Sequence, residues 1–393
     1  MSKPLYNVDK RVNWYQLSSN PNAVHLLEQY PDKIHWFNLS SNPNAISLLE
    51  GYIYNTDWLH EWVNCLYINN MEEGHQRRCI NWRALAQNPN AVHLIEYMLN
   101  KYPDNPEYIF WSFLSLNPNA ISLLEQNQDK ICWMSLSSNP NAISLLEQNP
   151  DKICWSELCV NPNAIPILEN NLDKVNWGRL SSNPNAIPIL EKNMDKVDWY
   201  GLSSNPNAIH ILEQNQDKIC WYQLSSNPNA IPILEKNLDK VYWLDFSKNP
   251  NAVPILEQNQ DKICWHYLCS NVNAVHLIER IIKKHPNKFE KIEWNKISQN
   301  PNAFPFLLKH YKYIDWRKVS KNPNAFKLLK RNMRYVNWWY LSANPVAVPL
   351  LETSPSLLSS SDSRDVGGFP LSTSEGKNTT LSSLLYIDLR KEP

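Results

Sequence analysis

Asn183-Pro184-Asn185-Ala186-Ile187-Pro188-Ile189-Leu190-Glu191-Lys192-Asn193-Met194-Asp195-Lys196-Val197-Asp198-Trp199-Tyr200-Gly201-Leu202-Ser203-Ser204 is one period of a 22-residue repeat that runs through most of this 393-residue chain. Trp111, Trp133, Trp155, Trp177, Trp199, Trp221, Trp243 and Trp265 stand 22 residues apart, and the runs Trp14–Trp36–Trp58 and Trp294–Trp316–Trp338 keep the same step. A fixed period of this size signals a stack of small units, and the whole chain must be read through it. Within the quoted unit, Ala186, Ile187, Ile189 and Leu190 make an apolar face at helical spacing. Asn185 is the expected N-cap, which places Pro188 in the first turn, where a missing N–H costs nothing. Asn193 suits a left-handed C-terminal cap. A turn follows, written Pro-Asp-Lys at Pro31–Lys33 and Pro150–Lys152. The second helix starts at the tryptophan, with Asp198 as its cap and Val197 and Leu202 spaced as a hydrophobic staple. Seven of the fifteen copies carry Asn or Asp at that cap position.

Each unit is thus two helices of about two turns. Such a unit cannot bury its own apolar face, and stacking on neighbours must complete the core. The expected fold is all-α: an α-solenoid of fourteen to fifteen two-helix repeats over residues 1–352, with a disordered Ser/Thr-rich tail over 353–393. Stacked at helix-packing distance and without strong coiling, the units would extend beyond roughly 100 Å, with two open ends. The Asn-Pro-Asn-Ala corner recurs from Asn20 to Asn322 and degrades at Asn271 and Asn344. Residues 51–81 form an irregular copy that keeps Trp58 in phase, loses the corner and brings in Trp62 and Cys65. Copies 82–111 and 265–294 are seven residues longer, and both are expected to extend the helix after the corner by about two turns, on one edge of the stack. Leu384–Leu389 in the tail is a candidate docking segment.

The repeated tryptophans (Trp133, Trp155, Trp177, Trp199, Trp221, Trp243 and Trp265 among them) are read as structural core, and the corner asparagines as a hydrogen-bonded ladder running down the stack. Glu147, Glu169, Glu191, Glu213, Glu235 and Glu257 form one row, and Lys152, Lys174, Lys196, Lys218, Lys240 and Lys262 another. A glutamate in a helix's last turn opposes the helix dipole, so a lysine or corner amide of the next unit should offset it. A row repeated identically is not a catalytic carboxylate pair. His25, His93, His210 and His276 share one position with prolines and serines and read as surface substitutions. Cys132, Cys154, Cys220 and Cys264 precede a tryptophan, and Cys159 and Cys269 share a second position, so duplication explains them and reduced thiols are expected. No nucleophile constellation, phosphate-binding loop or metal-ligand spacing stands out, so no enzyme, cofactor or metal is expected. Nor does the sequence show a membrane span or a secretory signal, so a soluble intracellular protein is expected.

Two features bear on partners. The two residues after each tryptophan vary (Tyr15-Gln16, Met134-Ser135, Gly178-Arg179, His266-Tyr267, Trp339-Tyr340), and recognition would be written there. Residues 280–340 hold 15 Lys and Arg against 3 Asp and Glu, a net of +12 in a neutral chain. Lys309, Lys312, Arg317, Lys318, Lys321, Lys327, Lys330, Arg331 and Arg334, interleaved with aromatics, form a candidate polyanion site.

The unit Asn-Pro-Asn-Ala-Ile-x-Leu-Leu-Glu-x-Asn-x-Asp-Lys-Ile-x-Trp-x-x-Leu-Ser resembles the tandem repeats of proteins encoded in many copies by giant DNA viruses of amoebae, over residues 9–352. The resemblance implies viral origin, a helical repeat fold, and action in host cytoplasm or virion. Some relatives carry an F-box-like segment before the repeats, and only about a dozen residues precede them here. The reading reached from sequence is a non-enzymatic scaffold binding an unidentified host or viral protein. Nucleic-acid binding by the basic repeats and self-association through open stack ends are the alternatives, and no membrane partner is expected.

Overall fold

The computed structural model describes residues 7–8, 10–56, 78–102 and 110–353. Trp58, Trp62, Cys65 and the tail from residue 354 lie outside them. The described chain is helical apart from one two-residue ladder, β1 (Asn7–Val8) with β2 (Glu352–Thr353). Fourteen Trp helices run from Trp14–Ser18 to Trp338–Ser342 among the described residues, and each is followed by a corner helix such as Val24–Gln29 or Ile187–Lys192. Numbering the units by these tryptophans makes Trp14 unit 1 and Trp338 unit 14.

The corner is a turn closed by the Ala186 N–H donating to the Asn183 carbonyl at 3.1 Å, with Pro184 in second place where its fixed φ belongs. Inside it the Asn183 side chain accepts from the Asn185 N–H at 3.0 Å. The Asn185 amide therefore does not cap the corner helix, as the sequence reading expected. It reaches back instead, donating to the Pro162 carbonyl of the preceding unit at 3.0 Å. The helix begins at Ile187 after Ala186, one residue later than expected, and has no side-chain cap. At its other end Asn193 sits at φ −135°, not in the left-handed region. Its amide takes the last-turn carbonyl of Ile189 at 2.9 Å, which satisfies the helix end by another route. The turn that follows is 3-10 at Pro31–Lys33, Pro150–Lys152 and elsewhere.

Asp198 does cap the Trp helix, accepting from the Gly201 N–H at 2.8 Å, and Asn13, Asn81, Asn176, Asp315 and Asn337 cap theirs in the same way. Leu202 and its equivalents are fully buried with the corner-helix leucines. The repeat tryptophans are half-buried against this core and not inside it; Trp82 alone among those of the described units is buried. The reason is geometric: each indole lies at a helix start, and its exposed face is covered by the next unit. Lys152, Lys174, Lys196, Lys218, Lys240 and Lys262 lie over the rings of Trp133, Trp155, Trp177, Trp199, Trp221 and Trp243 at 4.7–5.3 Å. Tyr313 and Tyr335 take the same position over Trp294 and Trp316.

The fourteen corner asparagines from Asn20 to Asn344 are all buried. Each donates through Nδ2 to the carbonyl of the previous one, as with Asn205 to Asn183 at 2.9 Å and Asn227 to Asn205 at 3.1 Å. Two findings here were not expected. The ladder passes straight from Asn42 to Asn88 (3.2 Å), and Asn90 reaches Pro43, so unit 3 docks directly on unit 2 and the irregular copy supplies no rung. That copy has lost the Asn-Pro-Asn-Ala corner that supplies the rung in the other units.

The second finding is closure. Asn20 of unit 1 donates to the carbonyls of Ser342 and Asn344 in unit 14, at 3.0 and 3.3 Å. Every type of inter-unit contact recurs at this seam: Asn22 to Pro345, the Asn13 N–H to Ser342 Oγ, and Arg11 over Trp338 at 4.3 Å. The β1–β2 ladder sits beside it. The fourteen described units therefore form a closed ring, and the open ends expected from sequence do not exist. Neighbouring Trp helices make the closest helix contacts, the seam pair included, while corner helices touch less. The Trp row is thus the inner side of the curve. Fourteen helices at about 8–10 Å spacing close on a circle of roughly 20 Å radius, in place of an extended rod.

The longer copies also differ from expectation. The corner helices Val92–Lys101 and Val275–Lys284 have ten residues against six in Ile187–Lys192, an extension of about one turn and not two. Helix Ile46–Asn55 is lengthened in the same way. In copy 265–294 the remaining inserted residues form the longer 3-10 stretch Pro286–Lys291. Finally, Cys132, Cys154, Cys159, Cys220, Cys264 and Cys269 are free thiols, but Cys79 is disulfide-bonded. This corrects the expectation of reduced thiols throughout: duplication accounts for cysteines in repeat positions, and Cys79 belongs to the irregular stretch.

Candidate interaction surface

Along the Trp row, each unit hands its neighbour a fixed set of bonds. Ser203 Oγ donates to the Trp199 carbonyl at 2.6 Å and accepts the Cys220 N–H of the next unit at 2.9 Å. Cys159 and Cys269 stand in this serine position, and their sulfurs accept from Asn176 and Glu293 N–H. Burial pushes both thiols up, Cys269 to about 11, so they remain protonated and structural.

Of the six glutamates in the row, Glu169, Glu191 and Glu257 pair with a cation or histidine of the following unit, and Glu50, Glu279 and Glu352 are paired in the same way. His25 pairs with Glu352 across the seam, and His93 and His210 pair with Glu50 and Glu191 at 2.8 and 2.7 Å. Lys192 meets Glu169, Arg280 meets Glu257, and Lys309 meets Glu279. These pairs are solvent-exposed and contribute little each. The lysine row goes to the indoles instead.

With those positions committed to the ring, the residue after the tryptophan is left facing water in all the described units except at Phe37 and Ser156, which are half-buried. Met134 is 58% exposed, Tyr200 56%, and Tyr15, Tyr222, Leu244 and Trp339 are exposed in the same position. Tyr242, just before its tryptophan, joins Tyr222 edge to face at 5.6 Å beside a shallow cleft of about 600 Å³ reaching Asp239 and Lys240. Comparison with protein families, curated proteins and solved structures gives no match to this chain. Its surface must therefore be read from its own chemistry.

The nine cations of the candidate polyanion site do not form one patch. Arg317, Lys318 and Lys321 lie on the Trp helix of unit 13. Lys309, Lys327, Lys330 and Arg331 lie on corner helices, and Lys312 and Arg334 in the turns after them. Several are engaged locally: Lys309 with Glu279, Lys312 over Tyr313 at 4.8 Å, and Arg334 over Tyr335 at 4.6 Å. The seam adds residues that sequence separation concealed. Tyr15 of unit 1 stacks on Trp339 of unit 14, with ring centroids 5.6 Å apart and planes at 22°. Among the described residues no group of His, Cys, Asp and Glu could hold a metal ion, and no helix is long and apolar enough to cross a membrane.

Proposed function

We propose that this protein is a non-enzymatic ring scaffold that binds another protein through the exposed residues after its repeat tryptophans. The observation that carries the reading is the placement of large apolar side chains. Of the fifteen exposed ones among the described residues, six occupy this single position of the repeat: Tyr15, Met134, Tyr200, Tyr222, Leu244 and Trp339. Scattered surface apolar residues need no explanation, but a row of them along one element of a repeated surface marks an interaction site. Tyrosine and methionine suit the task, the first as a rigid amphipathic anchor and the second as an adaptable one. A closed ring holds such a row in fixed register, because every unit has two neighbours and none frays. The resemblance to repeat proteins of giant viruses supports action inside an infected cell.

The test is capture by the tagged chain from infected-cell lysate, beside a variant carrying Met134→Ser, Tyr200→Ser, Tyr222→Ser and Leu244→Ser. A discrete protein that survives high salt and nuclease with the wild type, and is lost with the variant, is the expected result. Equal capture by both chains would remove this row as the binding surface.

A further inference from the structure

The row changes character at the seam. On units 12, 13, 14 and 1, the exposed or half-buried Trp-helix positions carry Lys296, Arg317, Lys318 and Lys321 with Trp339, Tyr340 and Tyr15, and no acid. Asp315, the nearby carboxylate, is held as the cap of the unit 13 helix, accepting from the Arg317 and Lys318 N–H groups at 3.0 and 3.3 Å. Glu293 is occupied by His266 at 3.2 Å. Arg317 leans over the Tyr340 ring at 6.0 Å, and Trp339 keeps 46% of its surface exposed despite its stack on Tyr15. His35 meets the Tyr15 ring edge-on at 4.7 Å, so the aromatic run continues into unit 2.

We infer that this seam surface binds single-stranded nucleic acid, its bases stacking on Trp339 and Tyr15 and its phosphates meeting Arg317, Lys318 and Lys321. Exposed aromatic faces interleaved with cations are the parts such sites use, since every base offers a π-face and every linkage a negative charge. A duplex buries its base faces and meets the cations alone. An acidic peptide would use the same cations and leave the aromatic faces without a stacking partner. The inference shares Tyr15 and Trp339 with the proposed protein-binding row, but its cations lie on unit 13, and the capture variant changes only units 5 and 8–10, so the two readings fail separately.

The test uses the full-length chain and fluorescence anisotropy of labelled oligo-dT and oligo-U, with the matching duplex and heparin as comparison probes. Expected is tighter binding to the single strands than to duplex. Trp339→Ala or Tyr15→Ala should weaken single-strand binding by about 5- to 150-fold and leave heparin binding unchanged. Arg317→Gln with Lys318→Gln should weaken both probes and lower the salt dependence by about 0.7 for each phosphate no longer neutralised. Lys330→Gln with Arg331→Gln, on the corner helix, should change neither. Because Trp339 also stacks on Tyr15, Trp339→Phe serves as a check that retains a ring, and thermal melts of each variant establish folding. No single-strand binding, equal affinity for duplex, or folded Trp339→Ala binding as tightly as wild type would each overturn the inference. An acidic peptide that competes fully with oligo-dT, with affinity unchanged by Trp339→Ala, would do so in favour of a protein ligand.

Discussion

Ring closure makes a quantitative demand on one residue. Asn20 lies in the first unit, where an open stack would leave its side chain at an end, in water. In the ring it is buried, donates to Ser342 and Asn344 at 3.0 and 3.3 Å, and accepts from Asn22 at 3.1 Å. Asn205, in the middle of the chain, makes the same three bonds to Ser181, Asn183 and Asn207 at 3.0, 2.9 and 3.0 Å. Asn→Ala at either site removes three bonds of about 1 kcal/mol each and strands two carbonyls and an N–H, so a loss of about 3 kcal/mol is expected at both. Urea unfolding followed by tryptophan fluorescence measures the loss. Amide exchange over residues 12–30 and 340–351 shows whether the Asn20→Ala loss is felt on both sides of the seam. Asn20→Ala at wild-type stability, with Asn205→Ala destabilised, would refute closure.

Other outcomes follow from single residues. A Cβ on Gly201 would stand 2.9 Å from the Gly178 carbonyl and 2.8 Å from Ser182 Oγ, so Gly201→Ala should cost about 1–3 kcal/mol in urea unfolding. Adding Ser182→Gly should restore only part of this, since the carbonyl cannot move aside. Cys220 begins its helix at φ −80°, ψ 92° with no side-chain cap, nearly the backbone of capped Asn176, so Cys220→Asn should stabilise by about 1 kcal/mol in the same assay. The Cys269 thiol, raised from 9.0 to about 11 in the fold, contributes stability that is fully present below pH 9 and lost as pH rises towards 11. Stability measured across that window should fall, and fall less in Cys269→Ser. Iodoacetamide at pH 8 should label Cys132, Cys154, Cys220 and Cys264 before Cys159 and Cys269, as read by peptide mass.

Nearly all the local structure was legible in one 22-residue period. The helix pair, the Asp198 cap, the buried Leu202 and the asparagine ladder follow from side-chain chemistry repeated at fixed spacing, because each acts within one unit or on the next. The errors at Asn185 and Asn193 share one cause. An asparagine amide can serve its own helix or another backbone, and only the packed neighbour decides which. The variable pair after each tryptophan was legible as an exposed recognition surface, but which of the two residues faces water was not. The tryptophans pack on the core, yet all but Trp82 among the described units stay half-buried, with Lys196 and its equivalents lying over the indole of the adjacent unit where the sequence reading places them beside the glutamates. Closure lay beyond sequence altogether. A period states that each unit meets its neighbour in the same way; it does not state the small rotation between them, which the spacing difference between the Trp and corner helices sets. Accumulated over fourteen units, that rotation brings Asn20 to Asn344 and Tyr15 to Trp339, and so makes one surface from the two ends of the repeat array.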